Sequence, residues 1–208
     1  MRKLIVVFAN SVKHGKHCVA GKEVQTKKWI RPVSNVDGAE LDDHQCKYGN
    51  PYGKFKVKPL QKIEIDVAQH SPLIHQPENY LIGNGEWSQK YKIEPFEVME
   101  YLDFPDALWG TENRIIFSSI ESREIQIAQS LYLVKVDDLR IYRNIEYKRR
   151  ASFVYNGNSY DLPVTDPNFD AHIDYPQHQN VLCVSLGEKY DPNEGENYSC
   201  YKIVAAII

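Results

Sequence analysis

Short apolar stretches separated by polar turns run along the whole chain, and the first of them lies close to the N terminus. Residues 3–9 (KLIVVFA) are almost entirely apolar, which is typical of a strand packed on both faces. Residues 10–17 are polar, with Gly15 as a turn residue, and predict a loop. CVAGKEV and KKWIRPV follow and predict two short strands. Pro32 in the second of them cannot donate a ladder hydrogen bond, so it suits a strand end or an edge.

The middle of the chain combines a long loop, an alternating strand and one helix. Residues 34–54 are rich in Gly, Asn and Asp and predict a loop. Residues 61–67 (QKIEIDV) alternate between polar and apolar positions and predict a half-buried strand. A helix is predicted over residues 94–102, because Pro95 suits its first position. Three apolar residues recur there at helical spacing: Phe96, Met99 and Leu102.

The second half of the chain repeats this style. Strands are predicted for four further segments: 114–120, 131–136, 181–187 and 201–208. The Asn156 and Gly157 pair between two β-rich runs is the strongest hairpin signal in the chain. Residues 166–179 are polar and contain proline, and they predict a loop. The last segment (YKIVAAII) would be costly to leave in water, so we expect it to be a buried closing strand.

Short strands with an intervening helix predict a mostly β fold, and the aromatic content of 12%, with 14 tyrosines, favours the same class. We expect two small OB-like β-barrel lobes with one or two short helices, although other small β folds would give a similar pattern. The boundary should lie within residues 103–113. This predicts an N-terminal lobe over residues 1–105 and a C-terminal lobe over residues 106–208.

No apolar run approaches the roughly 18 residues that a membrane span needs, and the N-terminal apolar run leads into a polar stretch rather than a cleavage site. We therefore expect a cytoplasmic protein that does not enter a membrane. The cysteines are scattered and include no CxxC pair, which predicts reduced thiols and no metal site. They are Cys18, Cys46, Cys183 and Cys200.

Charge is distributed unevenly along the chain. Residues 1–62 hold 13 Lys and Arg against 5 Asp and Glu, a net charge of +8, whereas the whole chain has a net charge of −3. A basic segment on an acidic protein is the expected footprint of an anionic partner. Internal pairing of these cations with acidic residues is the alternative, and the sequence favours neither.

Several segments together carry a family resemblance. They are FANSVKHGKHCVAGKEV, KKWIRPVS, HQPENYLI, KRRASFVYNGNSYDLPVTDP, and VSLGEKY followed by YKIVAAII. In this order, and from end to end, they resemble the prokaryotic dual-OB domain family. The resemblance implies two OB-like barrels and a role in nucleic-acid transactions, including defence against mobile elements. Phe8 departs from the smaller aliphatic residue expected before Ala-Asn-Ser.

Two candidate ligand-binding clusters lie in the N-terminal lobe near its start. Amide, hydroxyl and ammonium groups in the 10–17 stretch can hold phosphate oxygens, and a solvated turn is the alternative. These groups belong to Asn10, Ser11, Lys13, His14, Lys16 and His17. Trp29 and Arg31 share a strand face, with Ser34 nearby, which suits base stacking and phosphate pairing. A Trp packed in the core with its Arg neighbour at the rim is the alternative.

Two further clusters follow. The third cluster combines amide groups, which can read base edges, with a carboxylate close to a histidine, which could do acid–base work. Its members are His75, Gln76, Glu78 and Asn79. The alternative is that these polar groups only tie a loop to the barrel. The fourth is a basic run followed by aromatics, which suits single-stranded nucleic acid unless it is a solvated charge run. It comprises Lys148, Arg149, Arg150, Phe153 and Tyr155.

The sequence contains no P-loop, GxGxxG, HExxH or GxSxG motif. His17 and Cys18 are unsuited to act as base and nucleophile, because adjacent strand residues point to opposite faces. We therefore expect no catalytic residue and no cofactor, and we favour a module that binds single-stranded DNA or RNA, or a nucleotide-like ligand. Two alternatives stay open. One is an enzyme acting on nucleic acid or nucleotides with residues 10–17 and Glu78 in its site, and the other is a subunit with a protein partner and no ligand.

Overall fold

The computed structural model describes residues 1–13, 15–174, 180–191 and 198–208, with the side chains of Lys13 and Asp174 left aside. Strands account for 53% of the described residues and helices for 9%, so the predicted mostly β fold with OB-like lobes is confirmed. The chain divides into two compact units. The first consists of Met1–Leu73 and Glu78–Leu102, and the second of Ile74–Pro77 and Asp103–Ile208.

The first unit contains a closed five-stranded barrel. The strands of the whole unit are β1 (Arg2–Lys13), β2 (Lys16–Glu23), β3 (Trp29–Val33), β4 (Lys47–Asn50), β5 (Gly53–Lys56), β6 (Gln61–His70), β7 (Asn79–Ile82) and β8 (Trp87–Lys92). The barrel order is β1-β2-β3-β7-β6, and it closes because β6 also pairs with β1. β3 and β7 run parallel and the other barrel pairs are antiparallel. β8, β4 and β5 extend the sheet beyond β6.

Alternation along β1 gives this barrel two buried layers. Ile5 and Val7 point into the barrel core, together with Ile63 and Ile65 of β6. Phe8 is equally buried but lies outside that core, where its ring is 5.3 Å from the ring of Tyr101. Tyr101 ends the 3₁₀ helix Pro95–Tyr101. This helix covers the outer face of β1, which explains why a large aromatic is accommodated at residue 8.

The second unit repeats the barrel order in a more open form. Its strands are β9 (Arg114–Ile116), β10 (Leu131–Lys135), β11 (Asp137–Arg143), β12 (Arg149–Tyr155), β13 (Asn158–Pro163), β14 (Val181–Tyr190) and β15 (Ser199–Ile207), with helices α1 (Phe117–Glu121) and α2 (Phe169–Asp174). β11-β12-β13 form one sheet and β10-β14-β15-β9 another. Only Val136 separates β10 from β11, so one continuous segment serves both sheets. A parallel bridge between Val164 and Val204 links them at the other side.

Several predicted elements are confirmed. The Asn156 and Gly157 turn joins β12 to β13, and both residues have positive φ (48° and 76°), as a tight hairpin turn requires. β6 contains the alternating segment 61–67, with its apolar side chains in the barrel core. The closing strand is β15, most of whose side chains are buried. Among the described helices, none has the length and apolar character needed to cross a membrane.

Other predicted elements were wrong. The loop at residues 10–17 is mostly strand, because β1 continues to Lys13 and β2 begins at Lys16. The loop predicted at residues 34–54 contains β4 and the start of β5. These two strands form a hairpin in which lysine side chains alternate with aromatic ones. The strand at 114–120 is β9 followed by α1, and β11 was not predicted at all. The predicted loop at 166–179 contains α2, and its residues 175–179 lie outside the described part of the chain.

The helix predicted over residues 94–102 has a different type and a different buried face. It is a 3₁₀ helix, in which Val98 and Tyr101 are buried, three residues apart as a 3₁₀ turn requires. Phe96 and Met99, whose helical spacing predicted the apolar face of the helix, are 75% and 48% exposed. The apolar spacing was therefore assigned to the wrong face.

Candidate functional site

The first predicted cluster lies in the β1–β2 hairpin and is buried rather than exposed on a loop. Asn10 donates from Nδ2 to the carbonyl oxygen of Val57 at 2.8 Å, and its Oδ1 lies 2.9 Å from Nδ1 of His17. Ser11 is buried as well. Burial lowers the pKa of His17, so its ring is neutral at pH 7. His14 and the side chain of Lys13 lie outside the described residues, and Lys16 is exposed.

Trp29 of the second cluster is buried against the outer face of the first barrel. Its ring centroid is 6.1 Å from that of Phe8, and the Lys22 ammonium lies 5.1 Å from its centroid. Lys22 also donates to the carbonyl of Tyr101 at 2.7 Å, which ties the end of the 3₁₀ helix to β2. With 5% of its surface exposed, Trp29 is not an accessible stacking platform in this structure.

Arg31 and Glu78 form a buried ion pair in which Nη2 and Oε1 are 3.4 Å apart. The Arg31 amide also donates to the Glu78 carbonyl at 2.9 Å, and Asn79 lies opposite Arg31 in the β3–β7 ladder. Ser34 donates from its hydroxyl to the carbonyl of Ala39 at 3.2 Å and so closes a turn. These groups are used in internal contacts, and their role as ligand contacts stays a prediction.

The remaining members of the third cluster, His75 and Gln76, belong to the second unit and are buried there. The His75 ring centroid lies 5.4 Å from that of Phe117, in an edge-to-face arrangement. A polar sequence run at this position therefore does not form an exposed polar surface.

Much of the positive charge of the N-terminal segment is paired internally. Lys47 and Lys56 both contact Asp43, at 2.6 and 2.5 Å, and these hydrogen bonds hold the pKa of the Asp43 carboxyl well below its usual range. Lys3 pairs with Glu23 at 2.9 Å. These acidic residues belong to the same segment and are already counted in its net charge of +8. Pairing with acidic residues outside the segment, as in Arg31 with Glu78 at 3.4 Å and Lys54 with Glu86 at 2.9 Å, offsets only part of the excess positive charge.

The second lobe has an open face at the position where OB barrels bind ligands. OB folds bind across their second and third strands and the loop that joins the first two; these correspond here to β12, β13 and residues 144–148. Alternation turns Ala151, Phe153 and Tyr155 into the core, so the predicted aromatics of the fourth cluster are buried. The outer face carries half-exposed or exposed side chains: Arg140, Tyr142, Arg150, Ser152 and Val154. We call these five residues the outer face.

Arg150 is held in one geometry on this outer face. Its Nε lies 3.1 Å from Oδ1 of Asp161, and its Nη2 donates to the Asp161 carbonyl at 2.6 Å. The Tyr142 hydroxyl donates to Oδ2 of the same carboxylate at 2.8 Å, and this hydrogen bond raises the pKa of Tyr142. A guanidinium and a phenol are thus fixed side by side, which is the pair of groups needed to hold a phosphate and stack a base.

The loop at residues 144–148 displays large side chains beside the outer face. Asn144 Oδ1 accepts from the amides of Glu146 and Lys148 at 3.0 and 2.9 Å, which fixes the turn. Ile145 is 98% exposed and Tyr147 is 80% exposed. Exposure of this kind at the tip of an ordered loop is typical of a contact surface.

The sequence also matches a known protein family. The family model described as the dual OB-containing domain matches residues 3–207. The chain belongs to this family. No curated protein and no solved structure matches it. A dual OB protein contains two OB lobes, and this agrees with the strand order that the two units share.

The open face of this dual OB protein was largely missed from sequence. Of the predicted residues, Arg150 lies on the outer face, whereas Arg149 points to the other side of β12 and contacts Asp170. Arg140, Tyr142 and Tyr147 were not predicted. A strand with one open face could have been predicted from the segment DDLRIYR, because its apolar residues Leu139 and Ile141 alternate with residues of the outer face.

Proposed function

We propose that the chain binds single-stranded nucleic acid across the outer face and the loop at residues 144–148. The observation that carries this proposal is the ordered Tyr142–Arg150–Asp161 group on a partly exposed OB surface, beside exposed Tyr147. Arginines suit phosphate oxygens, and tyrosine rings suit the faces of any base.

The charge of this surface sets the expected strength of binding. Arg140, Arg150 and Lys148 are the cations available to a strand, while Asp161 and Glu146 partly neutralise two of them. About three phosphate contacts predict a slope near −2 in a plot of log K against log salt for a single strand. Binding should therefore be of modest affinity and tolerant of sequence.

The first lobe is a weaker candidate because its corresponding face is covered. The 3₁₀ helix packs there, and the cation and carboxylate that would serve a ligand, Arg31 and Glu78, pair with each other. The same pair weakens the enzyme alternative, which placed the Glu78 carboxylate in its site, because that carboxylate is paired with Arg31. The second lobe therefore carries the proposal.

A fluorescence-polarisation titration with labelled single-stranded DNA and RNA tests this function. Tyr147→Ala should cost about 1–3 kcal/mol of binding free energy, the usual value of one base stack. Arg150→Ala should weaken all sequences alike and reduce the salt slope by about 0.7. Lys135→Ala removes one exposed cation from β10 in the same lobe and serves as the matched control. Absence of binding at low salt by folded protein would exclude the proposal.

A further inference from the structure

Two arginines at the rim of the second lobe share one carboxylate. Arg143 and Arg149 lie directly opposite each other in the β11–β12 ladder. Nη2 of Arg143 is 2.6 Å from Oδ1 of Asp170, and Nη2 of Arg149 is 3.3 Å from Oδ2. Both guanidinium carbons lie above the ring of Phe169, at 5.4 and 5.3 Å from its centroid. We call this group the arginine pair.

Each guanidinium is also fixed by a backbone carbonyl. Arg143 donates from Nη1 to Tyr147 at 3.1 Å, and Arg149 donates from Nη1 to Asp166 at 3.2 Å. The aromatic ring below and the carbonyls beside them hold the two side chains in place, so a ligand would find them already oriented. Both side chains are about one third exposed, at 37% and 35%.

The charge balance of the arginine pair is incomplete. Like charges placed opposite each other in a sheet repel, and here, among the side chains that the structure describes, the two cations share one carboxylate. Asp170 is itself 57% exposed at its side chain, so it can turn into solvent. A phosphate monoester carries a charge of about −1.5 to −2 and three acceptor oxygens, which suit two guanidinium groups better than a carboxylate does. A phosphodiester carries only one charge.

We propose that the arginine pair is a binding site for a phosphate monoester and that Asp170 occupies it when no ligand is bound. This deepens the proposed function, on which its nucleic-acid part rests, because the terminal phosphate of a strand is a monoester. The Arg143 contact to the Tyr147 carbonyl places the site beside the backbone of Tyr147, whose side chain is exposed. A terminal base stacks on that ring while its phosphate enters the arginine pair.

The test compares single-stranded oligonucleotides carrying a 5′-phosphate, a 3′-phosphate or hydroxyl ends, with adenosine monophosphate and adenosine as the small-molecule arm. We expect one of the two phosphorylated strands, the one with the 5′-phosphate or the one with the 3′-phosphate, to bind about tenfold more tightly than the hydroxyl-ended strand at pH 7.5. This preference should disappear as the pH falls below about 6, where the monoester takes up a proton. Adenosine monophosphate should bind and adenosine should not.

Variants assign the effect to the arginine pair. Arg143→Gln and Arg149→Gln should abolish the phosphate preference while leaving binding of hydroxyl-ended strands within about twofold. Asp170→Asn should raise affinity for the monoester several-fold, since it removes the internal competitor, and Lys135→Ala should change nothing. Circular dichroism confirms that each variant is folded, and Arg143→Lys provides a charge-preserving variant that should lose most of the preference.

The outcomes separate this inference from the function on which it rests. Equal affinity for phosphorylated and hydroxyl-ended strands, or a preference that survives Arg143→Gln, would overturn the monoester site and leave strand binding intact. Binding of adenosine monophosphate, lost in Arg143→Gln, without binding of any oligonucleotide would support the site and refute the nucleic-acid function.

Discussion

Replacing Trp29 by Ala should destabilise the protein rather than remove a ligand contact. The Trp29 ring packs against Phe8 at 6.1 Å and lies 5.1 Å from the Lys22 ammonium, with 5% of its surface exposed. Truncation of a buried Trp costs about 3–5 kcal/mol. It also removes an aromatic contact of the buried Lys22. We therefore expect a loss of about 4 kcal/mol from the free energy of unfolding, a large share of the roughly 5–15 kcal/mol of a typical domain.

Urea unfolding followed by circular dichroism measures this loss, and the two lobes must be analysed as separate transitions if they do not unfold together. Tyr52→Ala is the matched control, because Tyr52 is 91% exposed in the same lobe and its loss should change stability by no more than about 0.5 kcal/mol. A Trp29→Ala variant that keeps wild-type stability but loses oligonucleotide binding would contradict a structural role for this ring, since a ligand would then reach a ring that the structure places beneath the 3₁₀ helix.

Three further predictions concern stability. Burial lowers the pKa of Lys202 from its ordinary 10.5 to about 8, so the unfolded chain holds one more proton between these pH values and stability should rise with pH by ~3 kcal/mol. Titration of Lys202→Met, in which this rise is absent, isolates that contribution from other groups. Asn10→Ala should cost about 1–3 kcal/mol in chemical unfolding, because it leaves buried partners at His17 and Val57 unsatisfied. Gly157→Ala should cost about 1 kcal/mol in thermal melting, because its φ of +76° disfavours a side chain, although the space around it is open.

The sequence predicted most of the fold because each barrel strand repeats a simple rule. Alternation in residues 61–67 placed apolar side chains inside the first barrel, and the Asn156 and Gly157 pair specified the turn of the β12–β13 hairpin. Elements whose pattern depends on tertiary packing were missed. The 3₁₀ helix buries Val98 and Tyr101 because they cover the outer face of β1, which no local spacing reveals.

The candidate site was predicted less well, for a related reason. Polar residues such as Asn10, His17 and Arg31 look like ligand contacts in a sequence, but a barrel also needs polar groups to satisfy buried carbonyls and charges. Whether a strand face is open or covered depends on what packs over it. Arg150 and Trp29 both follow strand alternation, yet Arg150 lies on a partly exposed face and Trp29 on a buried one.

A two-dimensional amide NMR titration of the full chain with a single-stranded oligonucleotide at low salt tests directly whether the second lobe holds the binding surface. We expect shift changes concentrated in β11, residues 144–148 and β12, with Arg140, Tyr142 and Arg150 among the largest. The amides of Trp29 and Arg31 should remain unchanged. Changes confined to the first lobe, or no change in β11 and β12 at saturating strand, would contradict the assignment of the binding surface to the second lobe.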